Sequence, residues 1–325
     1  MIPSRRAILT GAVAALASPA WAQRGSGLKA YPAGAPAAIL IWCVRPDALV
    51  GWSRPLGPAQ RALMPAAAGR LPTLGMLTAG GPTANLEGVA ARRPDLVIDY
   101  GDLGPGYSAL AEHTRKRLGL PYSVIDGRLL RTPAALLETG RLLGAESRAR
   151  RLAESADAIL RAWSRRRGQG GPSFYYARGP DGLETGLAGS LAVEVMEGAG
   201  WRNVVTARRN ALGRINREQL AAFDPEVVVT LDAGLARRML ADPLWSRTRA
   251  GRPRRIALLP DAPFGWVDRP PSVNRLLGCL WAASPDPLRL GLHTSAVAEG
   301  FHALFYGRRL SPAEARSTAP RILTA

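Results

Sequence analysis

Residues 85–101 and 216–232 carry one pattern twice, and no other feature restricts the fold as much. Asn85 to Gly101 reads NLEGVAARRPDLVIDYG and Asn216 to Asp232 reads NREQLAAFDPEVVVTLD. Aligned without a gap, six of the seventeen positions are identical, and four more pair Val with Leu, Asp with Glu, Leu with Val and Ile with Val. Chance at one offset gives about one or two. A short helix, a Pro-acid step and a buried strand therefore occur once in each half. The chain has 325 residues, enough for two cores at about 150 residues per domain. The fold class that follows is α/β, with two related lobes.

Strand and helix signals fill in the pattern. Ala37 to Val44 is a short apolar run bounded by turn residues and reads as a buried strand, with further strands at Leu96 to Tyr100 and Tyr122 to Ile125. Helices are expected at 85–92, 107–118 and 133–143. From Glu146 to Arg167 the apolar residues Leu152, Ala156, Ile159, Leu160 and Trp163 share one helical face, while Arg148, Arg150, Arg151, Arg161 and Arg165 take the rest. Arg165-Arg166-Arg167 closes this helix at the negative end of its dipole. Gly168 to Pro172 breaks it, and a second α/β pattern begins. Strands are expected at 173–177 and 183–185, joined by the turn Gly179-Pro180-Asp181-Gly182, then at 226–231 and 255–259. Helices are expected at 189–199, 216–222, 271–282 and 293–306. The expected organisation is a leader over 1–22, an N-terminal lobe over 23–145, one long bridging helix over 146–167 and a C-terminal lobe over 168–325, with a ligand cleft between the lobes.

The leader rests on Arg5 and Arg6, an apolar stretch from Ala7 to about Ala17, and Ala20-Trp21-Ala22 before Gln23. A charged start, a short apolar middle and an Ala-x-Ala end are the parts of an export signal, and the paired arginines resemble a twin-arginine signal. No cysteine lies near that cleavage site, so the mature chain is expected in the periplasm, soluble and without a lipid anchor. Removing Arg5 and Arg6 takes the formal charge from +18 to +16. The basic residues are scattered arginines without interleaved stacking aromatics, so nucleic acid is not the expected partner. Three histidines and two cysteines leave little material for a zinc site or a disulfide scaffold. Cys43 and Cys279 sit in separate apolar runs and are expected as buried free thiols.

Several segments together resemble the substrate-binding proteins of ABC importers, in the class that takes up iron-siderophores, haem and vitamin B12. They are Arg93-Pro94-Asp95-Leu96-Val97-Ile98, the run from Tyr175 to Gly186 (YYARGPDGLETG), Gly200 to Val204 (GWRNV), Asp224 to Val229 (DPEVVV) and Pro263 to Leu276 (PFGWVDRPPSVNRL). The resemblance spans nearly the whole mature chain and points to the iron-complex binding subgroup. It implies a periplasmic protein, not an enzyme, that captures a metal chelate, a ferric siderophore foremost, with haem or a corrinoid as the alternatives. The chelate would be passed on by a monomer to an ABC permease and its ATPase. The resemblance also implies that one acidic residue on each lobe docks on the permease, here Glu87 and Glu218, which share a place in the repeat. Asn85 and Asn216 supply the alternative reading of that place, as helix N-caps with Glu in the first turn.

Ligands of open α/β sheets bind beyond the carboxyl ends of the strands. That rule nominates Trp42, Arg45, Tyr100, Asp102 and Tyr107 in the first lobe, and Tyr176, Arg178, Trp266, Arg269 and Arg275 in the second. Aromatic faces cover the apolar parts of a chelate, and guanidinium forks pair with its carboxylate or catecholate oxygens. Trp163 and Trp201 read as core and Trp245 as lobe packing. A chelator that already wraps its metal makes a protein His/Cys cluster unnecessary, and no cofactor is expected; a phenolate from Tyr100 or Tyr176 is the one candidate metal ligand. A periplasmic enzyme is the competing class. The chain has no Gly-x-Ser-x-Gly elbow, P-loop, Gly-x-Gly-x-x-Gly after a strand or Cys-x-x-Cys-His, and Gly80-Gly81-Pro82 reads as a plain turn.

Overall fold

The computed structural model describes residues 27–77, 84–101, 103, 105–207, 211–246, 248, 255–284 and 292–323. The expected leader, the Gly80-Gly81-Pro82 turn and Asp102 lie outside the described residues. The chain divides into two compact units. The first takes the chain up to Ala158 with Pro270–Val273 and Glu299–Leu310; the second takes Ile159–Arg269, Asn274–Ala298 and the chain from Ser311.

In the first unit, β1 (Ala30–Pro32), β2 (Leu96–Gly101) and β3 (Tyr122–Asp126) form a parallel sheet in that order, with Ala30 opposite Leu96 and Val97 opposite Tyr122. The connections carry α1 (Ala35–Val44), α2 (Leu86–Ala91) and α3 (Pro105–Leu118), and α4 (Thr132–Leu143) follows β3. Ala37–Val44 is therefore helix and not the expected strand. Eight of the ten residues of α1 are buried, so the run is apolar on every side and shows neither a period of 2 nor one of 3.6. Pro36 lies in its first turn behind Gly34, an arrangement that starts helices. The strand is the triplet immediately before it.

Helix α5 covers Glu146–Ser164 and buries Ala149, Leu152, Ala153, Ala156, Ile159, Leu160 and Trp163 along one stripe. The division between the units falls within it, between Ala158 and Ile159. Arg148 leaves the expected exposed face: its Nε donates to the Cys43 carbonyl at 2.7 Å and its Nη2 to the Leu304 carbonyl at 3.0 Å. It thereby satisfies the last turn of α1 and part of the π-helix His302–Tyr306.

The second unit has a five-stranded sheet of β4 (Ser173–Tyr176), β6 (Arg202–Asn203), β8 (Val227–Thr230), β9 (Ile256–Leu258) and β10 (Arg321–Leu323), in the order β10-β9-β8-β4-β6. Only β10 is antiparallel. A separate antiparallel pair joins β5 (Glu184–Gly186) to β7 (Leu212–Arg214). Helices α6 (Glu194–Gly198), α7 (Arg217–Phe223), α8 (Ala233–Ala241), α9 (Arg275–Ala282), α10 (Leu292–Phe301) and α11 (Pro312–Ser317) complete the labelled elements. Strand β8 reads Val-Val-Val-Thr and is buried throughout, as a strand covered on both faces must be. Its Val228 lies in one core cluster with Tyr175, Leu220, Leu235, Met239 and Trp245. Trp163 and Trp201 are also buried. Cys43 and Cys279 are free and buried; burial pushes the Cys43 thiol up to about 12 and raises Cys279 further.

The sequence repeat is a structural repeat down to single hydrogen bonds. The Lys29 amide donates to the Asp95 carboxylate at 2.6 Å while the Asp95 amide donates to the Lys29 carbonyl at 2.8 Å. At the equivalent place the Ser173 amide donates to Glu226 at 2.7 Å and the Glu226 amide to the Ser173 carbonyl at 3.1 Å. Arg93 and Asp224, also equivalent, both take the left-handed backbone, with φ of 47° and 40°. The acid of each Pro-acid step thus ties the strand it opens to the amino end of the neighbouring strand.

Candidate functional site

The carboxyl edge of the second unit's sheet gathers the most ionisable chemistry. Strand β4 has β8 on one side and β6 on the other, so the chain order reverses there, the place where open sheets bind ligands. Its end delivers Tyr176, Ala177 and Arg178. The Arg178 amide and carbonyl both bond Glu184, at 2.9 and 3.3 Å, closing the Gly179–Gly182 turn. Gly179 and Gly182 take φ of 74° and 78°, which a side chain would oppose. Arg238 Nη2 donates to the Pro180 carbonyl at 2.9 Å. Arg178 therefore stands on a stiff base.

Its guanidinium meets a carboxylate from the loop after β9. Arg178 Nη1 donates to Asp268 Oδ2 at 2.5 Å, with the Asp268 side chain only 7% exposed. The Tyr176 hydroxyl donates to the same oxygen at 3.4 Å, and the Arg178 guanidinium carbon lies 5.9 Å from the Tyr176 ring centroid. The Arg269 amide donates to Asp268 Oδ1 at 2.7 Å, turned toward it by a φ of 64° at Arg269. A Cβ on Gly265 would strike the Asp268 carbonyl, and one on Gly278 the Trp266 carbonyl, so α9 and the loop close tightly at two glycines. Burial, with Asp268 adding its charge, raises the Tyr176 phenol well above its ordinary value. The Tyr176 phenol is thus held protonated beside Asp268.

Asp261 follows β9, with half its side chain exposed and 3.7 Å from Arg269 Nη1. Protein packed around it, together with the charges of Asp232 and Asp268, raises its carboxyl to about 6 against the opposing pull of Arg269. The folded chain then holds this proton more tightly than the unfolded chain, whose reference value is 3.8. Ionised Asp261 therefore costs stability above about pH 6, and the cost is relieved as pH falls through 6 toward 4. Its half exposure screens this to about 1 kcal/mol. Asp261→Asn is expected to melt a few degrees above the parent at pH 7.5 and level with it near pH 4.5. Thermal melts at the two pH values check this, and equal gaps at both would refute it.

The other nominated residues fall elsewhere. Trp266 is buried with its indole N–H unpartnered among the described residues, as is the hydroxyl of buried Tyr100 at the carboxyl end of β2. Trp42 packs on Trp52 at 5.5 Å and donates its indole N–H to the Tyr306 carbonyl at 3.1 Å. Arg45 donates to the Leu143 carbonyl at the end of α4 at 2.5 Å. Arg275 is fully buried and pairs with Glu194 at 2.7 Å. Tyr107 lies on α3. Glu87 and Glu218 are exposed at the second position of α2 and α7. Asn85 and Asn216 cap those helices by accepting from the amides of Glu87 at 2.8 Å and Gln219 at 2.7 Å.

Sequence reading missed Asp232, Asp261, Asp268 and, at the end of β3, Arg128 with Asp126. Arg128 grips Asp126 with Nη2 at 2.5 Å, and Arg131 stands 3.7 Å away. Burial works to raise Asp126, but these guanidiniums outweigh it and lower the carboxyl. The carboxyl-edge rule, applied to every buried strand, finds Asp126, Asp232 and Asp261; Asp268 lies inside the Pro263–Leu276 run and carries no local signal of its own. Among the described residues no group of three or more His, Cys, Asp and Glu is placed to hold a metal ion, and no helix is long and apolar enough to cross a membrane.

No curated protein matches the chain. An ABC transporter solute-binding protein from Sulfurospirillum deleyianum superposes with a TM-score of 0.82 at 25% identity, over 91% of this chain and 94% of that one. The molybdate-binding periplasmic protein MolA of Haemophilus influenzae superposes with a TM-score of 0.70 at 18% identity, over 89% and 96%. A periplasmic haem-binding protein, RhuT, from Roseiflexus sp. gives 0.61 at 22% identity, over 81% and 100%. All three are binding proteins rather than enzymes. The periplasmic binding protein model matches residues 75–263, more than half of the sequence, including both copies of the repeat. The chain therefore belongs to the periplasmic binding protein family, the solute-binding class that serves ABC transporters.

Proposed function

We propose that this protein, exported to the periplasm by its leader, captures a metal chelate and delivers it as a monomer to an ABC permease and its ATPase. A ferric siderophore is the ligand favoured, with haem or a corrinoid as the alternatives. The observation that carries the reading is the cluster at the carboxyl edge of β4: a partly exposed guanidinium, Arg178, held at 2.5 Å by Asp268 over the buried ring of Tyr176. Such a group offers fixed donors to chelate oxygens without reorganising on binding. Arg269, with about a third of its side chain exposed, is the second contact. Trp266, Tyr100, Asp102 and Tyr107 complete the proposed ligand set. Trp42, Arg45 and Arg275 hold their own units together instead, since their polar groups are engaged internally. Similar proteins named for haem and for molybdate support a small-molecule ligand and leave its identity to experiment.

Purification of the exported protein, with its absorbance spectrum and the mass of the released ligand, tests this. A charge-transfer band with a chelator mass is the expected result; a Soret band or a corrinoid spectrum would select an alternative. Chemical turnover of an offered chelate would end the binding-protein reading.

A further inference from the structure

Asp268 stands where Tyr176, Arg178 and Arg269 of the second unit converge. Both of its oxygens are engaged from within the unit, Oδ2 by Arg178 and the Tyr176 hydroxyl and Oδ1 by the Arg269 amide. The positive charge of Arg178 is therefore matched by a carboxylate that the protein already carries. Around it, Asp261 feels the charges of Asp232 and Asp268, and only Arg269 opposes them. Arg238 reaches the same edge beside Asp232, so among the described residues three carboxylates face three guanidiniums there, which leaves it no positive excess.

That balance treats two kinds of anion differently. A small inorganic oxyanion has no apolar surface to bury and binds through charge-assisted hydrogen bonds alone; to use Arg178 it must compete with a carboxylate held at 2.5 Å. A large chelate can bury apolar surface and use the N–H groups that Asp268 leaves open on the guanidinium of Arg178, whose side chain is 19% exposed. We propose that Asp268 is a specificity-determining residue, neutralising Arg178 from within so that free inorganic oxyanions are refused while larger chelates are accepted. The inference rests on the reading that this edge binds the ligand.

Calorimetric titration of the purified mature protein with molybdate tests it. The unaltered protein is expected to bind molybdate no tighter than about 1 mM. Asp268→Asn keeps an acceptor for the Arg269 amide but removes the charge, and is expected to bind at least tenfold tighter. Asp268→Glu restores a carboxylate and is expected to stay as weak as the parent. Asp268→Ser makes the same charge change with less bulk should the Asn variant lose its circular dichroism. A residue that merely supports the fold gives loss, not gain, in the charge-removed variants. Micromolar binding by the unaltered protein, or no gain in a folded Asn or Ser variant, overturns the proposal. A chelate retained by the unaltered protein without that gain overturns the role of Asp268 alone, while absence of any chelate counts against the proposed function.

Discussion

Replacing Glu87 and Glu218 together by alanine is expected to abolish import while the purified variant still folds and binds ligand as the parent does. The expectation comes from where the two carboxylates sit. Each occupies the second position of a short helix whose cap is supplied by another residue, Asn85 or Asn216. Losing the glutamates therefore costs only the favourable dipole interaction, a few tenths of a kcal/mol each. Both side chains are exposed, and the repeat sets them at equivalent points of two related units. A permease with two equivalent halves would make the same contact twice. Losing two charge-assisted contacts at once weakens docking by roughly a hundredfold or more. Growth on the imported ligand as sole source, with binding measured in parallel, reads the two effects separately. Normal growth of the double variant would show the glutamates to be helix-end residues and nothing more.

Arg275→Ala is expected to lower stability by about 3–5 kcal/mol. Arg275 is fully buried, and its Nη1 lies 2.7 Å from Glu194 Oε2, joining α9 to α6. Truncation opens a cavity and leaves Glu194, 23% exposed at its side chain, without that cation. The paired change Arg275→Met with Glu194→Gln removes both charges and fills most of the space, so it is expected to recover much of the loss. Urea denaturation curves of the three proteins measure this. Ligand affinity per folded molecule should be unchanged in Arg275→Ala; a collapse of affinity at unaltered stability would return Arg275 to the ligand site.

Arg178 after β4 and Arg269 on the loop after β9 show how far one-dimensional reading reaches. The rule that ligands bind beyond the carboxyl ends of strands nominates Arg178 and Arg269, and the structure brings both to one carboxylate. The carboxylate itself, Asp268, lies 90 residues from Arg178, and nothing in its neighbours along the chain marks it as their common acceptor. Arg45 shows the converse. It follows an apolar run as a ligand residue would, yet besides its neighbour Asp47 it bonds a helix-end carbonyl 98 residues away. Local sequence reports which groups a strand end offers, whereas burial and partner are set by what packs there.

The twin module is legible in the residues alone. Asn cap, acidic first turn, left-handed corner, Pro-acid step and buried strand are local features with local causes, and each recurs at the same spacing in both units. The gross α/β class follows from them. Tertiary structure decided what locality leaves open. It made Ala37–Val44 a helix, because a run buried on all sides carries no period to read. It placed Arg148, Arg45 and Arg275 inside their units, because each meets an acceptor brought from far along the chain. The charge balance around Arg178 belongs to the same class, being a sum over groups that only folding brings within reach of one another.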